Sequence, residues 1–108
     1  MLTTKHVLLA IIIISLGHIA SAAEDIAKKS NCMACHAVDK KAIGPSFNDI
    51  GRKYQGAPQA HEYLAKKTVE GSVGVWGAIP MPPSKVAKPD DIKAVIAWIL
   101  LKSELPQP

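Results

Sequence analysis

Apolar residues near the end of the chain recur at the spacing of one helix face. They fall at positions i, i+3, i+4, i+7 and i+8, namely Ile92, Val95, Ile96, Ile99 and Leu100. Pro89, Asp90 and Asp91 stand just before them, a combination that favours a helix start. Pro106 and Pro108 close the chain. The pattern predicts an amphipathic C-terminal helix with one face on a core.

Shorter helices are predicted upstream. Acidic residues followed by lysines indicate a helical turn or two over residues 24–31. Apolar residues at helical spacing predict a helix over 47–54, and Pro58 suits the first position of a helix continuing over 59–70 and ending at Gly71. Residues 71–89 hold three Gly and four Pro without helical period, which predicts a long ordered loop. With no credible strand, the fold class is all-α.

The N-terminus has the layout of a secretory leader. Residues 7–17 are almost wholly apolar, follow Lys5, and precede the small-residue run Ala20-Ser21-Ala22. The alternative is a retained membrane anchor, but a spanning helix wants about 20 apolar residues, and His18 interrupts after eleven. We expect a signal peptide over residues 1–22, cut after Ala22 or Ala23, and a mature domain over 23–108 in the periplasm.

Charge and composition narrow the function further. The net charge is +4, and loss of Lys5 with the leader leaves 12 basic and 9 acidic residues, or +3. This modest charge on an exported chain makes nucleic acid an improbable partner. The mature 86 residues have only one Phe, two Tyr and two Trp. These are few large apolar side chains for the core of a domain so small that its stability is marginal. We therefore expect one domain that needs an added apolar group. We also expect it to be a monomer, although composition alone does not fix the oligomeric state.

Cys32, Cys35 and the adjacent His36 form the most specific motif. Two thiols at this spacing can add to the two vinyl groups of a haem, and the following imidazole can then bind the iron. A simple disulfide or a thioredoxin-like redox pair is an alternative, although no strand precedes the motif. Zinc needs about four ligands, whereas the mature chain has two Cys and two His. The motif predicts one covalently attached haem c.

The second axial ligand decides between electron transfer and ligand chemistry. Three side chains of the mature chain are candidates: Met33, His61 and Met81. Met33 lies inside the attachment turn and suits packing, while His61 lies in a polar stretch and suits solvent. Met81 stands among Pro80, Pro82 and Pro83, which restrict the backbone around it. A thioether is a soft ligand that favours ferrous iron, so Met81 is the predicted ligand.

The chain resembles the small class I bacterial cytochromes c of the cytochrome c-551 type. The resemblance covers essentially all of the mature chain and rests on three segments: residues 32–36, Gly44-Pro45, and the run GVWGAIPMPP at 74–83. It implies three to five helices wrapped around one haem, with the first and last helices packed together. It also implies an electron carrier, not an enzyme, that exchanges single electrons with protein partners and takes no small-molecule substrate.

The resemblance further implies roles for individual residues. Pro45 should accept a hydrogen bond from the imidazole of His36, while Lys67 and Trp76 should stabilise a buried haem propionate. Relatives often have Asn three positions after the methionine, where this chain has Ser84. A hydroxyl can also donate to a sulfur, with shorter reach.

Two other function classes stay open on the residues alone. A haem sensor or small peroxidase-like enzyme would have a labile or open sixth position, and a non-haem disulfide module would hold no cofactor. For a carrier, a cytochrome complex is the expected class of donor, and an oxidase, nitrite reductase or peroxidase the expected class of acceptor.

Overall fold

The computed structural model describes residues 3–104, apart from the side chains of residues 13–16 and 103–104. Within that range the regular secondary structure is helical, long loops occupy residues 35–46 and 71–88, and the one departure towards a sheet is an isolated bridge between Ser72 and Met81. The prediction of an all-α fold is confirmed. The prolines at 106 and 108 lie outside the described residues. The elements are α1 (Thr4–Lys29), a 3₁₀ turn (Cys32–Ala34), α2 (Phe47–Tyr54), α3 (Ala60–Glu70) and α4 (Pro89–Glu104).

Helix α1 joins the apolar N-terminal segment and the domain without interruption. Its described side chains up to residue 22 are exposed, whereas Ala23 is buried and Ala27 is 0% exposed. The helix is long and apolar enough to cross a membrane, a test that a signal sequence also passes. It ends before Asn31, whose left-handed φ of 64° turns the chain into the cysteine motif. The domain therefore begins to pack at Ala23, next to the predicted cleavage bonds.

The C-terminal half of α1 packs against α4. Ala23 and Ala27 share one buried cluster with Phe47, Val95, Trp98 and Ile99. Small alanine side chains on α1 let the two helices approach closely, and the larger α4 residues fill the contact. The expectation that the first and last helices pack together is confirmed.

The structure confirms both predicted ends of α2 but only the C-terminal end of α3. Helix α2 begins after Ser46, which is fully buried and whose Oγ accepts a hydrogen bond from the Asp49 N–H at 3.0 Å. Helix α3 ends at Gly71 as predicted, with φ 84°. Its predicted start at Pro58 is wrong, because Gln59 adopts a left-handed φ of 60° and the helix begins at Ala60.

All five residues of the predicted apolar face of α4 are buried. They are divided between two clusters: Val95 and Ile99 face α1, and the others pack with Ala60 of α3. Helix α4 is therefore the central element, with α1, α2 and α3 arranged around it. Residues of the cysteine turn, the 71–89 loop and α4 line a common cavity.

Candidate cofactor site

The cysteine motif is wound into a single tight turn. The N–H groups of Cys35 and His36 both donate to the carbonyl of Cys32, at 3.3 and 3.1 Å. This winding brings Cys32, Cys35 and His36 to the wall of one cavity. Met33 instead packs against the α1–α4 cluster, as predicted for a packing residue. Burial raises the pKa of the Cys32 thiol, so the thiol is held in its neutral form.

The imidazole of His36 is fixed on three sides. Its Nδ1 donates to the carbonyl of Pro45 at 2.7 Å, the contact expected from the resemblance. Its ring stacks on Phe47 with centroids 5.3 Å apart and planes 22° apart. A Cβ added at Gly44 would lie 2.8 Å from the ring's Cε1. Because Nδ1 carries the proton that it donates to the Pro45 carbonyl, Nε2 is unprotonated and is the nitrogen left to bind a metal.

Phe47 connects this histidine to the hydrophobic core. Its other contact is an edge-to-face arrangement with Trp98 of α4, with ring centroids 5.6 Å apart. Phe47 was predicted only as a helix residue, and its place beside His36 was missed. The signal available in the sequence was its position two residues after Pro45, on the first turn of α2.

The cavity has a volume of about 420 Å³, within the range of small-molecule sites. Parts of the attachment turn, α2, α3, the 71–89 loop and α4 form its wall, which is mostly apolar. All seven predicted site residues line this cavity: Cys32, Cys35, His36, Pro45, Lys67, Trp76 and Met81. Tyr54, Tyr63 and Ser84 line it as well.

Met81 belongs to this wall and is held mainly by its backbone. Its N–H donates to the Ser72 carbonyl at 2.8 Å, and its carbonyl accepts from the Ser72 N–H at 3.0 Å. Ser84 also lines the cavity; its N–H donates to the Thr68 carbonyl, and its Oγ accepts from the Ala87 N–H at 3.4 Å. His61 is exposed and lies off the wall, which leaves Met81 as the candidate that shares a cavity with His36.

Aromatic rings and lysines surround another part of the wall. Lys53 Nζ lies 5.2 Å from the Trp76 ring centroid, and Lys67 Nζ lies 5.5 Å from that of Tyr63. The rings of Tyr54 and Tyr63 are 5.5 Å apart. Lys67 and Trp76 were predicted for this region; Lys53 and the tyrosine pair were not. One ammonium group beside an indole and another beside a tyrosine ring make this region suitable for a carboxylate.

The residues present fit a covalently held haem. The cavity is apolar, as a porphyrin requires, and its wall has two thiols next to an imidazole with a free Nε2 and, on a separate segment, a thioether. Among the residues that the structure describes, no cluster of three His, Cys, Asp or Glu residues forms a site for a bare metal ion. The donor set thus suits an iron porphyrin better than zinc.

Comparison with known proteins identifies the family of this chain. The cytochrome c family model matches residues 20–102. The chain is 51% identical to cytochrome c-552 of Nitrosomonas europaea over 75% of this chain and 79% of the relative. It is 42% identical to cytochrome c-551 of Pseudomonas aeruginosa over 71% and 73%. The crystal structure of wild-type Nitrosomonas europaea cytochrome c552 superposes with a TM-score of 0.70 at 50% identity, covering 72% of this chain and 96% of that chain.

Replacing Gly44 with Ala should displace His36. The new Cβ would stand 2.8 Å from the ring's Cε1 and 3.0 Å from Nδ1, so the ring must move and its bond to Pro45 must lengthen. We expect a loss of about 1–3 kcal/mol in the free energy of unfolding, together with shifted NMR resonances of the His36 ring. Gly56→Ala is the control for the His36 resonances, since its Cβ would meet nothing within 4 Å and its own cost comes from a positive φ of 71°. Equal His36 shifts in both variants would contradict the account.

Replacing Tyr54 with Phe should remove an alkaline loss of stability. Burial and a hydrogen bond to Tyr63 raise the pKa of Tyr54 to about 12. Since an unfolded tyrosine ionises near pH 10, the folded protein retains a proton that the unfolded chain loses, and stability falls as pH rises from about 10 to 12. Thermal midpoints measured across this window should fall less steeply for Tyr54→Phe than for the unmodified protein. Parallel curves of thermal midpoint against pH for the two proteins would contradict a raised pKa of Tyr54.

Proposed function

The chain belongs to the cytochrome c family, and from this premise we propose a periplasmic electron carrier in which Cys32 and Cys35 hold the haem while His36 and Met81 bind its iron. The family and its c-552 and c-551 members are electron carriers with one covalently attached haem c. The chain is accordingly a monohaem electron-transfer protein and not an enzyme. The attachment residues, axial ligands, location and partners are what the proposal adds.

One observation carries the ligand assignment: the 2.7 Å hydrogen bond from His36 Nδ1 to the Pro45 carbonyl, on the same cavity wall as both thiols and Met81. The hydrogen bond fixes the tautomer and makes Nε2 the better donor. The bound haem supplies a one-electron couple between ferric and ferrous iron. A thioether from Met81 stabilises the ferrous side and leaves no position for an external ligand.

The chain's own residues keep the rearrangement on electron transfer small. His36 is held by Pro45, Gly44 and Phe47, and the Met81 backbone is tied to Ser72 through both its N–H and its carbonyl. Ligands that stay in place in both oxidation states need little reorganisation. Lys67 and Trp76, both on the cavity wall, are proposed to stabilise a haem carboxylate by charge and by an indole N–H.

Partner docking is proposed at the cavity mouth. Ile43, Ile79 and Val86 line the cavity and are each more than half exposed, and Lys85 stands on the same rim. An apolar patch with lysines near it suits a protein partner with an acidic rim, and the lysines would raise the association rate at low salt. A cytochrome complex is the proposed class of donor; an oxidase, nitrite reductase or peroxidase is the proposed class of acceptor. The carrier is proposed to act as a monomer.

Export is proposed to remove residues 1–22. The exposed apolar part of α1 ends where packing begins at Ala23, and the family match starts at residue 20. We expect the purified periplasmic protein to have the mass of a chain that begins at Ala23 or Glu24 plus one haem, and to stay in solution without detergent. A full-length chain recovered with the membranes would contradict cleavage.

Replacing Met81 with Ala should open the sixth position of the iron. The unmodified ferrous protein is expected to bind carbon monoxide slowly or negligibly at neutral pH, and the variant is expected to bind it readily. Met33→Ala and His61→Ala are the controls, because Met33 packs in the core and His61 is exposed. Rapid binding by the unmodified protein would instead favour the sensor or peroxidase-like alternative.

A further inference from the structure

The end of α3 approaches the Met81 segment so closely that only a hydrogen atom fits between them. Gly71 ends the helix with φ 84° and ψ 174°, a conformation essentially restricted to glycine. A Cβ added there would lie 2.8 Å from the Met81 carbonyl oxygen. The same Cβ would lie 3.1 Å from both the Cδ and the N of Pro83. Any side chain at residue 71 would therefore push on the backbone at Met81 and Pro83.

This contact is enclosed by three backbone hydrogen bonds. Ser72, the next residue after Gly71, exchanges two with Met81, at 2.8 and 3.0 Å. On the other side, the Ser84 N–H donates to the Thr68 carbonyl in the last turns of α3, at 2.9 Å. The segment from Met81 to Ser84 is thus attached to the C-terminal end of α3 at both of its ends.

The prolines around Met81 limit the backbone hydrogen bonds that can hold this segment in place. Pro80, Pro82 and Pro83 have no N–H to donate, so Met81 is the one residue of the four that can fix the segment by donating a backbone hydrogen bond. The methionine side chain has three rotatable bonds and adapts to many positions. The location of its sulfur therefore depends on where the backbone is held.

We propose that Gly71 is a positioning residue for Met81: by allowing α3 to contact the Met81 carbonyl and Pro83, it holds the thioether at the iron. The inference rests on the proposed ligation by Met81 and adds a second element to it. A side chain at 71 would strain or break the Ser72–Met81 pair, and Met81 would then leave the iron more often.

The test compares three alanine variants of the exported holoprotein. Gly71→Ala combines a positive φ with the close contact to Met81 and Pro83. Gly56→Ala and Gly77→Ala have positive φ of 71° and 114° but would meet nothing within 4 Å, and neither residue lines the cavity. The rate at which added imidazole displaces Met81 from ferric iron is followed by loss of the sulfur-to-iron absorption band. We expect this rate to rise about tenfold for Gly71→Ala, the factor that 1.4 kcal/mol of strain would give, and to stay near the unmodified rate for the controls.

Two further measurements separate a positioning role of Gly71 from a general loss of folding stability. The reduction potential should fall for Gly71→Ala alone, because a loosened thioether favours ferrous iron less. Free energies of unfolding are measured for all three variants. Displacement rates that simply follow the loss of stability across the three, or an unchanged rate in Gly71→Ala, would overturn the proposal.

The outcomes distinguish this inference from the function on which it rests. If the unmodified protein lacks the sulfur-to-iron band, ligation by Met81 is wrong and the proposal falls with it. If the band is present and Gly71→Ala behaves like Gly56→Ala, only the positioning role is wrong. Should Gly71→Ala fail to retain haem while both controls retain it, hydrogen exchange of the Met81 N–H in the unmodified holoprotein takes its place: we expect this N–H, which donates to the Ser72 carbonyl, to be protected. A Met81 N–H that exchanges as fast as an exposed amide would overturn the proposal.

Discussion

The fixed orientation of one imidazole ring is the constraint on which this structure depends. His36 donates through Nδ1 to Pro45, lies against Gly44 and stacks on Phe47, and Phe47 in turn contacts Trp98 of α4. The ring is therefore part of the hydrophobic core rather than an addition to it. Because α4 also packs on α1 and α3, the position of Nε2, the nitrogen proposed to bind the iron, is set by the packing of the whole domain.

The Met81 side of the cavity is built on a different principle. The backbone of Met81 is attached to the end of α3 through Ser72, and glycine at position 71 permits the approach. One proposed ligand is thus oriented by its ring and the other by the backbone that holds it. This difference follows from chemistry, since an imidazole is rigid and has a second polar atom, whereas a thioether is flexible and has none. Both arrangements limit movement when an electron arrives or leaves.

Much of this organisation could be predicted from the sequence. The parts that could not be predicted have a common cause. The bounds of α2, the buried face of α4 and the pairing of Cys32 with His36 follow from local spacing, whereas Met81 was predicted for the same site from its flanking prolines and from the resemblance. The start of α3 does not, because the left-handed Gln59 depends on how the chain enters the domain. The His36–Phe47–Trp98 contacts and the close approaches at Gly44 and Gly71 join distant segments, so no local pattern contains them.

The central claim, that one covalently held haem iron is bound by His36 and Met81, is tested most directly by the absorption spectrum of the exported protein in both oxidation states. The account predicts a haem that stays with the chain after denaturation in acidified organic solvent, as thioether bonds to Cys32 and Cys35 require. It also predicts a weak sulfur-to-iron charge-transfer band in the ferric form that disappears on reduction. An extractable haem would contradict the attachment, and a ferric spectrum without that band would contradict ligation by Met81.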